Sequence, residues 1–360
     1  MACKYYKQKR QYKYVEESTW HDVTPAEYRK GEVYEYDSPD CEVFKWKATY
    51  TGGRSSSAQC DSTSAITYAE INSADLQSVL VGECVTSIGN MALSGCSLLT
   101  NVIFGNNLTS IGQYAFYDCE ALTSVTIPNS VTTIGNSAFF GCSGLTNVTI
   151  GSGVTSIGSG VFGNCTSLTS VTIPDSVTSI GNGAFGSCFS LSNIDIPNSV
   201  TSIGESAFMY CINFSNIIIP SGVTSIGKWA FNGCRNLTTV YILGSGLTSL
   251  GEGAFEDCYA LTSITIPNSI TTIGKMAFDG CSGLTNVTIG SGVTSIGKQA
   301  FYDCSRLTKV TVRAATPPAL DYFVFDNTNN CPIYVPAASV SAYKSATNWS
   351  NYASRIQAMP

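Results

Sequence analysis

A 23-residue unit returns along most of this chain with almost no change in length. One copy, starting at Leu122, reads LTSVTIPNSVTTIGNSAFFGCSG. Others begin at Leu145, Leu168, Leu191, Phe214, Leu237, Leu261, Leu284 and Leu307, with Leu99 and, more loosely, Leu76 upstream. That makes eleven units, and a single one-residue insertion lies around Leu243 to Gly246. A fixed period in this range marks a solenoid, in which each coil contacts only its neighbours. Such a chain offers long surfaces and seldom carries chemistry of its own.

Within the unit, Leu122, Val125 and Ile127 are apolar and Val125 and Ile127 alternate with Thr126, the period of a strand with one buried face. Pro128, Pro174, Pro197, Pro220 and Pro267 close that strand, where a missing N–H does least harm. A second apolar run, Val131 to Ile134, follows a turn. Then comes a glycine kept in ten of the eleven copies: Gly89, Gly112, Gly135, Gly158, Gly181, Gly204, Gly227, Gly251, Gly274 and Gly297. Its constancy implies either a special backbone angle or a coil-to-coil approach that a side chain would block. Ala138-Phe139 and Cys142 read as a short helical turn pointing Phe and Cys inward. One unit cannot bury enough apolar surface alone, so the coils must stack. At about 4.8 Å per coil, eleven coils give a parallel ladder roughly 50 Å long.

The run LTSVTIPNSVTTIGNSAFFGCSGL resembles the BspA-like leucine-rich repeat, whose pattern is LxxLxLPxxLxxIxxxAFxxCxxL, over about 76–312. The ending CPIYVPAASVSAYKSATNWSNYASRI resembles the C-terminal cap of such proteins from gut anaerobic bacteria. The resemblance implies a β-rich α/β fold: a leucine-rich repeat, right-handed solenoid of about eleven coils with a parallel β-sheet on its concave face. It also implies a surface-exposed or secreted binding and adhesion role, and it supplies no catalytic residues.

Four regions are expected: a small aromatic-rich antiparallel β N-terminal module at 1–51, a Gly/Ser linker at 52–65, the solenoid at 66–312 and a C-terminal cap at 313–360. The module reads as three or four short strands with turns near Glu17-Ser18 and Lys30-Gly31. Its segments YYKQKRQ and TWHDVTPAEYRKGEVYEYDSPDC resemble a small module found in proteins of gut bacteria and their phages. In the cap, Ile333-Tyr334-Val335 reads as a last strand and Ala338 to Ala346 as a helix, with Trp349 and Tyr352 over the open end.

Residues 62–304 hold four basic against thirteen acidic groups. Phosphate binding needs a basic stripe, so nucleic acid is not expected as the partner of the coils. No stretch approaches the roughly 18 apolar residues of a membrane helix, so no membrane insertion is expected. The N-terminus, MACKYYKQKRQYKY, has charge without an apolar run behind it, and no signal peptide is read there.

Ten cysteines recur once per coil: Cys96, Cys119, Cys142, Cys165, Cys188, Cys211, Cys234, Cys258, Cys281 and Cys304. No short-spaced Cys or His pair suggests a metal site, so a column of buried thiols is expected. Cys41 and Cys60 are expected to pair with each other in an oxidising compartment. The chain has one histidine, His21, and no nucleophile elbow, phosphate loop or HExxH motif. No catalytic residue, cofactor or metal is therefore assigned. The adjacent carboxylates Glu256-Asp257 are expected to form a solvated edge. Seven N-x-S/T triplets, such as Asn147-Val148-Thr149, follow from the repeat itself.

Most copies place Gly, Ser, Asn or Asp around the Phe-x-x-Cys turn. Phe189, Met209, Tyr210, Ile212 and Trp229 break that rule. Stacking would gather them on one edge, where they either pack on one another or form a partner-binding patch. Tyr114, Tyr117, Tyr259 and Tyr302 are more scattered. On the strand face, polar pairs such as Ser124 and Thr126 are interrupted by Asp195, Ile218, Tyr241 and Lys309. Two functions remain open. One is binding or adhesion to a protein, or to a host or bacterial surface component. The other is a structural or phage-virion, tail-associated role anchored through the N-terminal module.

Overall fold

The computed structural model describes residues 44–61, 64–71 and 73–360, apart from the side chains of 68 and 69. Ahead of them it describes the backbone of four strands, Cys3–Gln8, Gln11–Tyr14, His21–Asp22 and Tyr34–Tyr36. These four form an antiparallel sheet in the order third, second, first, fourth. The expected turns at Glu17-Ser18 and Lys30-Gly31 lie outside the described residues, as do Cys41 and the His21 side chain.

The solenoid begins earlier than its repeats do. Phe44–Tyr50 pairs antiparallel with Leu76–Val81, the long strand of the first coil, and buries Trp46 and Ala48 in the core. It turns back through Thr51–Gly53, where Gly52 and Gly53 both have φ near +77° and +76°, into the strand Ser55–Gln59. The segment composed like a linker is thus the outer strand of a hairpin. Its glycine pair makes the tight turn, and its serines face solvent at the sheet's edge. The hairpin covers backbone groups that the first coil would otherwise leave bare. Lys45, 1% exposed, holds it down through Glu70 at 2.6 Å and Asp61 at 3.2 Å. Cys60 is bonded to Cys84 in the first coil, not to Cys41. Pairing with the coil follows from the hairpin, whose outer strand ends beside the first coil's turn.

At the far end, Ile333–Val335 and Ile356–Ala358 continue the parallel ladder, so the solenoid has about 13 turns where the repeat counts eleven. The last two turns keep their apolar inward strand residues, Ile333 and Val335 in one and Ile356 in the other, but lose the rest of the pattern. Between them lie a 3-10 turn at Ala337–Ser339 and a helix at Val340–Ser345. Tyr343 and Trp349 are fully buried over the last full coils, with Trp349 Nε1–H donating to Pro318 O at 2.8 Å.

Each coil is bonded to its neighbours on every side. On the long-strand side Thr146 N–H donates to Thr123 O at 2.9 Å, and on the short-strand side Gly135 N–H donates to Ile111 O at 2.8 Å. On the turn side the direction reverses: Phe116 N–H donates forward to Ala138 O at 2.7 Å. The repeated threonines add to the ladder, with Thr109 Oγ1 donating to Thr86 O at 2.8 Å and Thr146 Oγ1 to Thr123 O at 3.0 Å. The long strands fall into three sheets and the short ones into two, and their breaks come at different coils. No coil boundary loses both ladders. The insertion after Leu243 is absorbed in a turn, and the ladder simply shifts by one, pairing Thr239 with Ser263 and Ile226 with Leu250.

The constant glycine is explained by close approach, since none of the ten has a positive φ. A Cβ on Gly227 would lie 2.5 Å from Glu205 N, and one on Gly251 2.5 Å from Gly227 O. Inside, Phe116, Phe139, Phe162, Phe185, Phe208, Phe231, Phe255, Phe278, Phe301 and Phe325 form one stack. Their ring centres are 4.9–5.6 Å apart and their planes within 16°. Beside it runs the cysteine column, buried and free of disulfides. Each thiol from Cys119 onward donates to a carbonyl in the preceding coil, as Cys211 does to Phe185 O at 3.2 Å. Burial raises most of these thiols above their ordinary range, with Cys188 pushed up to about 12, while at Cys119 the bond with Cys142 comes first.

Gly227→Ala should lower stability in urea by about 1–3 kcal/mol through backbone overlap, and Phe208→Ala by about 3–5 kcal/mol through a cavity in the stack. The ten column thiols should resist a thiol reagent at pH 8 in the native protein and react only as urea unfolds it. Rapid native labelling would contradict the burial.

Candidate partner-binding surface

Each coil's turn side holds two left-handed backbone positions. One lies two residues after the constant glycine, the other two after the stacked phenylalanine. The first holds Gly160, Gly183 and Gly253 in three coils and larger side chains, Met91, Tyr114, Met276 and Gln299 among them, in others. The second holds Gly, Asn, Asp or Ser in every coil but that of Tyr210, residue types that mostly adopt positive φ at low cost. Tyr210 (φ 60°) and Trp229 (φ 52°) occupy the same positions with large rings, at a cost of about 1–2 kcal/mol each.

Their rings lean onto the following coil. The Tyr210 ring covers Gly233 and the Trp229 indole covers Gly253, so that a Cβ on either glycine would collide with the ring. Trp229 is therefore half-buried, with Lys228 Nζ 6.0 Å from its ring centre. Met209 and Ile212 are also half-buried, whereas Tyr210 is 39% and Phe189 40% exposed. Of the five residues singled out by sequence, two stand open and three are partly packed.

The register adds residues that the sequence reading left aside. Phe189 and Ile212 occupy one column, one residue after the cysteine, and Arg235 and Tyr259 continue it in the next two coils. Tyr259 is 42% exposed, and the Arg235 guanidinium sits 5.7 Å from its ring centre. Burial raises the Tyr259 hydroxyl above its ordinary range, and Asp257 adds to this. On the strand side of the same coils, Ile218 and Tyr241 are directly paired across the ladder and, with Leu243, about half exposed. Aligning the copies by cysteine would have found Tyr259. What hid it was its spacing of 49 residues from Tyr210, which the coil repeat folds to two rungs.

Carboxylates continue the edge. Glu256 and Asp257 are followed by Asp279 and Asp303 in the next two coils. Asp279 is raised to about 6, first by burial and then by Glu256, Asp257 and Asp303. Glu256 is raised by burial and Asp257, while Asn232 donates to it at 3.1 Å. The pair expected to be a solvated edge is thus half-withdrawn from water. Glu252 differs: Lys275 at 3.1 Å and Lys228 at 3.4 Å neutralise it, and its carboxyl is lowered, Lys275 contributing most.

Among the described residues, no group of three or more His, Cys, Asp or Glu side chains is arranged to hold a metal ion. An open depression of about 640 Å³ at the C-terminal end is lined by Asp326, Asn330, Asn351 and Arg355 among others. Arg355 is engaged by the cap itself, its Nε donating to Cys331 O at 2.9 Å and its Nη2 to Thr328 Oγ1 at 3.0 Å.

Protonation of Asp279 relieves repulsion in the folded state, so its stabilising effect is present below about pH 4 and is lost as pH rises through about 6. Asp279→Asn should raise the melting temperature at pH 7.5, and the difference from wild type should vanish towards pH 4. An equal difference at both pH values would contradict the assignment.

The family pattern described as BspA type leucine rich repeat region, in six copies, matches residues 64–188, 137–262, 178–308 and 248–348. No curated protein matches the chain in sequence. Among solved structures, a leucine-rich repeat protein from Bacteroides ovatus is 23% identical with a TM-score of 0.52, over 87% of this chain and 90% of that one. One from Eubacterium ventriosum is 23% identical with a TM-score of 0.50, over 68% and 75%. A leucine rich cell surface protein from Faecalibacterium prausnitzii is 25% identical with a TM-score of 0.44, over 88% and 97%.

Proposed function

The chain belongs to the BspA-type leucine-rich-repeat family, and on that premise we propose that it is a non-catalytic binding protein. It engages a protein or surface component with the turn edge of its middle coils. One observation carries the reading. Of the twelve large hydrophobic side chains left exposed among the described residues, six fall between Phe189 and Tyr259: Phe189, Tyr210 and Tyr259 on the turn edge, and Ile218, Tyr241 and Leu243 on the strand side of the same coils. An exposed apolar cluster is a usual mark of an interaction site, and tyrosine is a favoured anchor. The left-handed placement of Tyr210 adds to this, because a ring there is retained against backbone preference.

A position outside the cell agrees with the Cys60–Cys84 disulfide, since such bonds persist in oxidising compartments.

The test is capture from bacterial-surface and host-mucosal extracts by wild type and by Tyr210→Asn/Tyr259→Ser. Asparagine suits a left-handed position, so this variant should keep its stability within about 1 kcal/mol. A partner held by wild type and lost by the variant supports the reading. Equal capture by both refutes this edge as the site. No capture, with the chain found in purified virus particles, favours the structural role.

A further inference from the structure

The apolar cluster and the carboxylates lie in series along one edge. Phe189, Tyr210, Ile212 and Tyr259 occupy coils that are followed directly by those bearing Asp279 and Asp303. At about 4.8 Å per coil, the stretch from Phe189 to Asp303 spans roughly 25 Å. An extended polypeptide of about eight residues covers that distance.

Four carboxylates on this edge stand without a basic partner: among the described residues, none of Glu256, Asp257, Asp279 and Asp303 is in an ion pair, whereas the neighbouring Glu252 is held by two lysines. The Arg235 guanidinium is turned over the Tyr259 ring. Asp279 is raised first by burial, and Glu256, Asp257 and Asp303 add their repulsion to it. A bound cation would relieve that repulsion, while a neutral ligand would leave it in place. An acidic partner or anionic surface would add to it.

We propose that the turn edge from Phe189 to Asp303 docks an exposed protein segment in which apolar residues are followed by lysines or arginines. This rests on the binding reading above and names the partner's chemistry. The apolar residues lie across Phe189, Tyr210, Ile212 and Tyr259. The basic residues lie against Asp257, Asp279 and Asp303, with Glu256 behind them. Complementary charge of this kind fixes direction and register as well as adding affinity.

The probe is a fluorescent synthetic peptide of eight residues, four apolar then four lysine, read by fluorescence anisotropy with the full chain. Its controls are the same peptide with glutamate for lysine, and soluble mucin glycans as competitor. The lysine peptide should bind wild type, the glutamate peptide should not, and 0.5 M salt should weaken binding. Asp257→Asn/Asp279→Asn and Tyr210→Asn/Tyr259→Ser should each lower affinity by about tenfold or more. Equal binding of both peptides, or unchanged affinity in the aspartate variant, overturns the proposal. So does failure of the lysine peptide to bind. If mucin glycans bind instead, and only the tyrosine variant loses them, the edge is a binding site but its partner is a glycan. If neither variant changes anything that binds, the site itself is wrong.

Discussion

Backbone hydrogen bonding between coils sets the terms for the rest of this structure. A coil's N–H and C=O groups meet those of the next only if both coils have the same path length. That requirement keeps the unit at 23 residues and permits the extra residue after Leu243 only in a turn. It also brings the backbones close enough that Gly227 and its equivalents cannot carry a side chain. The phenylalanine stack and the thiol column follow from the same register, since each side chain meets its own copy one rung away. What recurs in the chain is therefore what the ladder requires.

The residues that do not recur are freed from that requirement. Just ahead of the long and the short strands, threonine hydroxyls bond to the preceding coil's carbonyls, so these repeated polar residues serve the ladder itself. The exceptions concentrate in a few middle coils, where they meet on the turn edge and the strand face together. Tyr210 and Trp229 show how the fold accommodates them: each ring lies where the next coil has a glycine. The same accommodation half-buries Trp229 and leaves Tyr210 more open. Packing and exposure thus belong to the same cluster, and the two explanations of the bulky residues each describe part of it.

Where the repeat is intact, the strands, the constant glycine, the inward Phe and Cys and the family were legible in the sequence. Beyond the repeat, legibility fell for identifiable reasons. Residues 52–59 have a linker's composition, yet at a sheet edge serine-rich strands and a Gly-Gly turn are what solvent exposure and tight reversal require. The Cys60–Cys84 bond depends on that hairpin and could not be read without it. The turns at Ile333 and Ile356 kept only their inward strand residues, Ile333 and Val335 in one and Ile356 in the other, too little to register as copies. In the candidate site, Tyr210 was visible as an exception to its column. The contribution of Tyr259 and Arg235 came only from the register, and the half-burial of Trp229 only from the left-handed backbone.

Replacing one coil tests the central claim, that the ladder makes the fold and the exceptions make the site. Residues 191–213 and 145–167 are both 23 long, and only the first carries Met209, Tyr210 and Ile212. Substituting the second for the first keeps every ladder group in register. The account predicts an unchanged circular dichroism spectrum, a urea midpoint no lower than wild type, and loss of partner capture. A folded chimera that still captures its partner would contradict it, as would one that fails to fold.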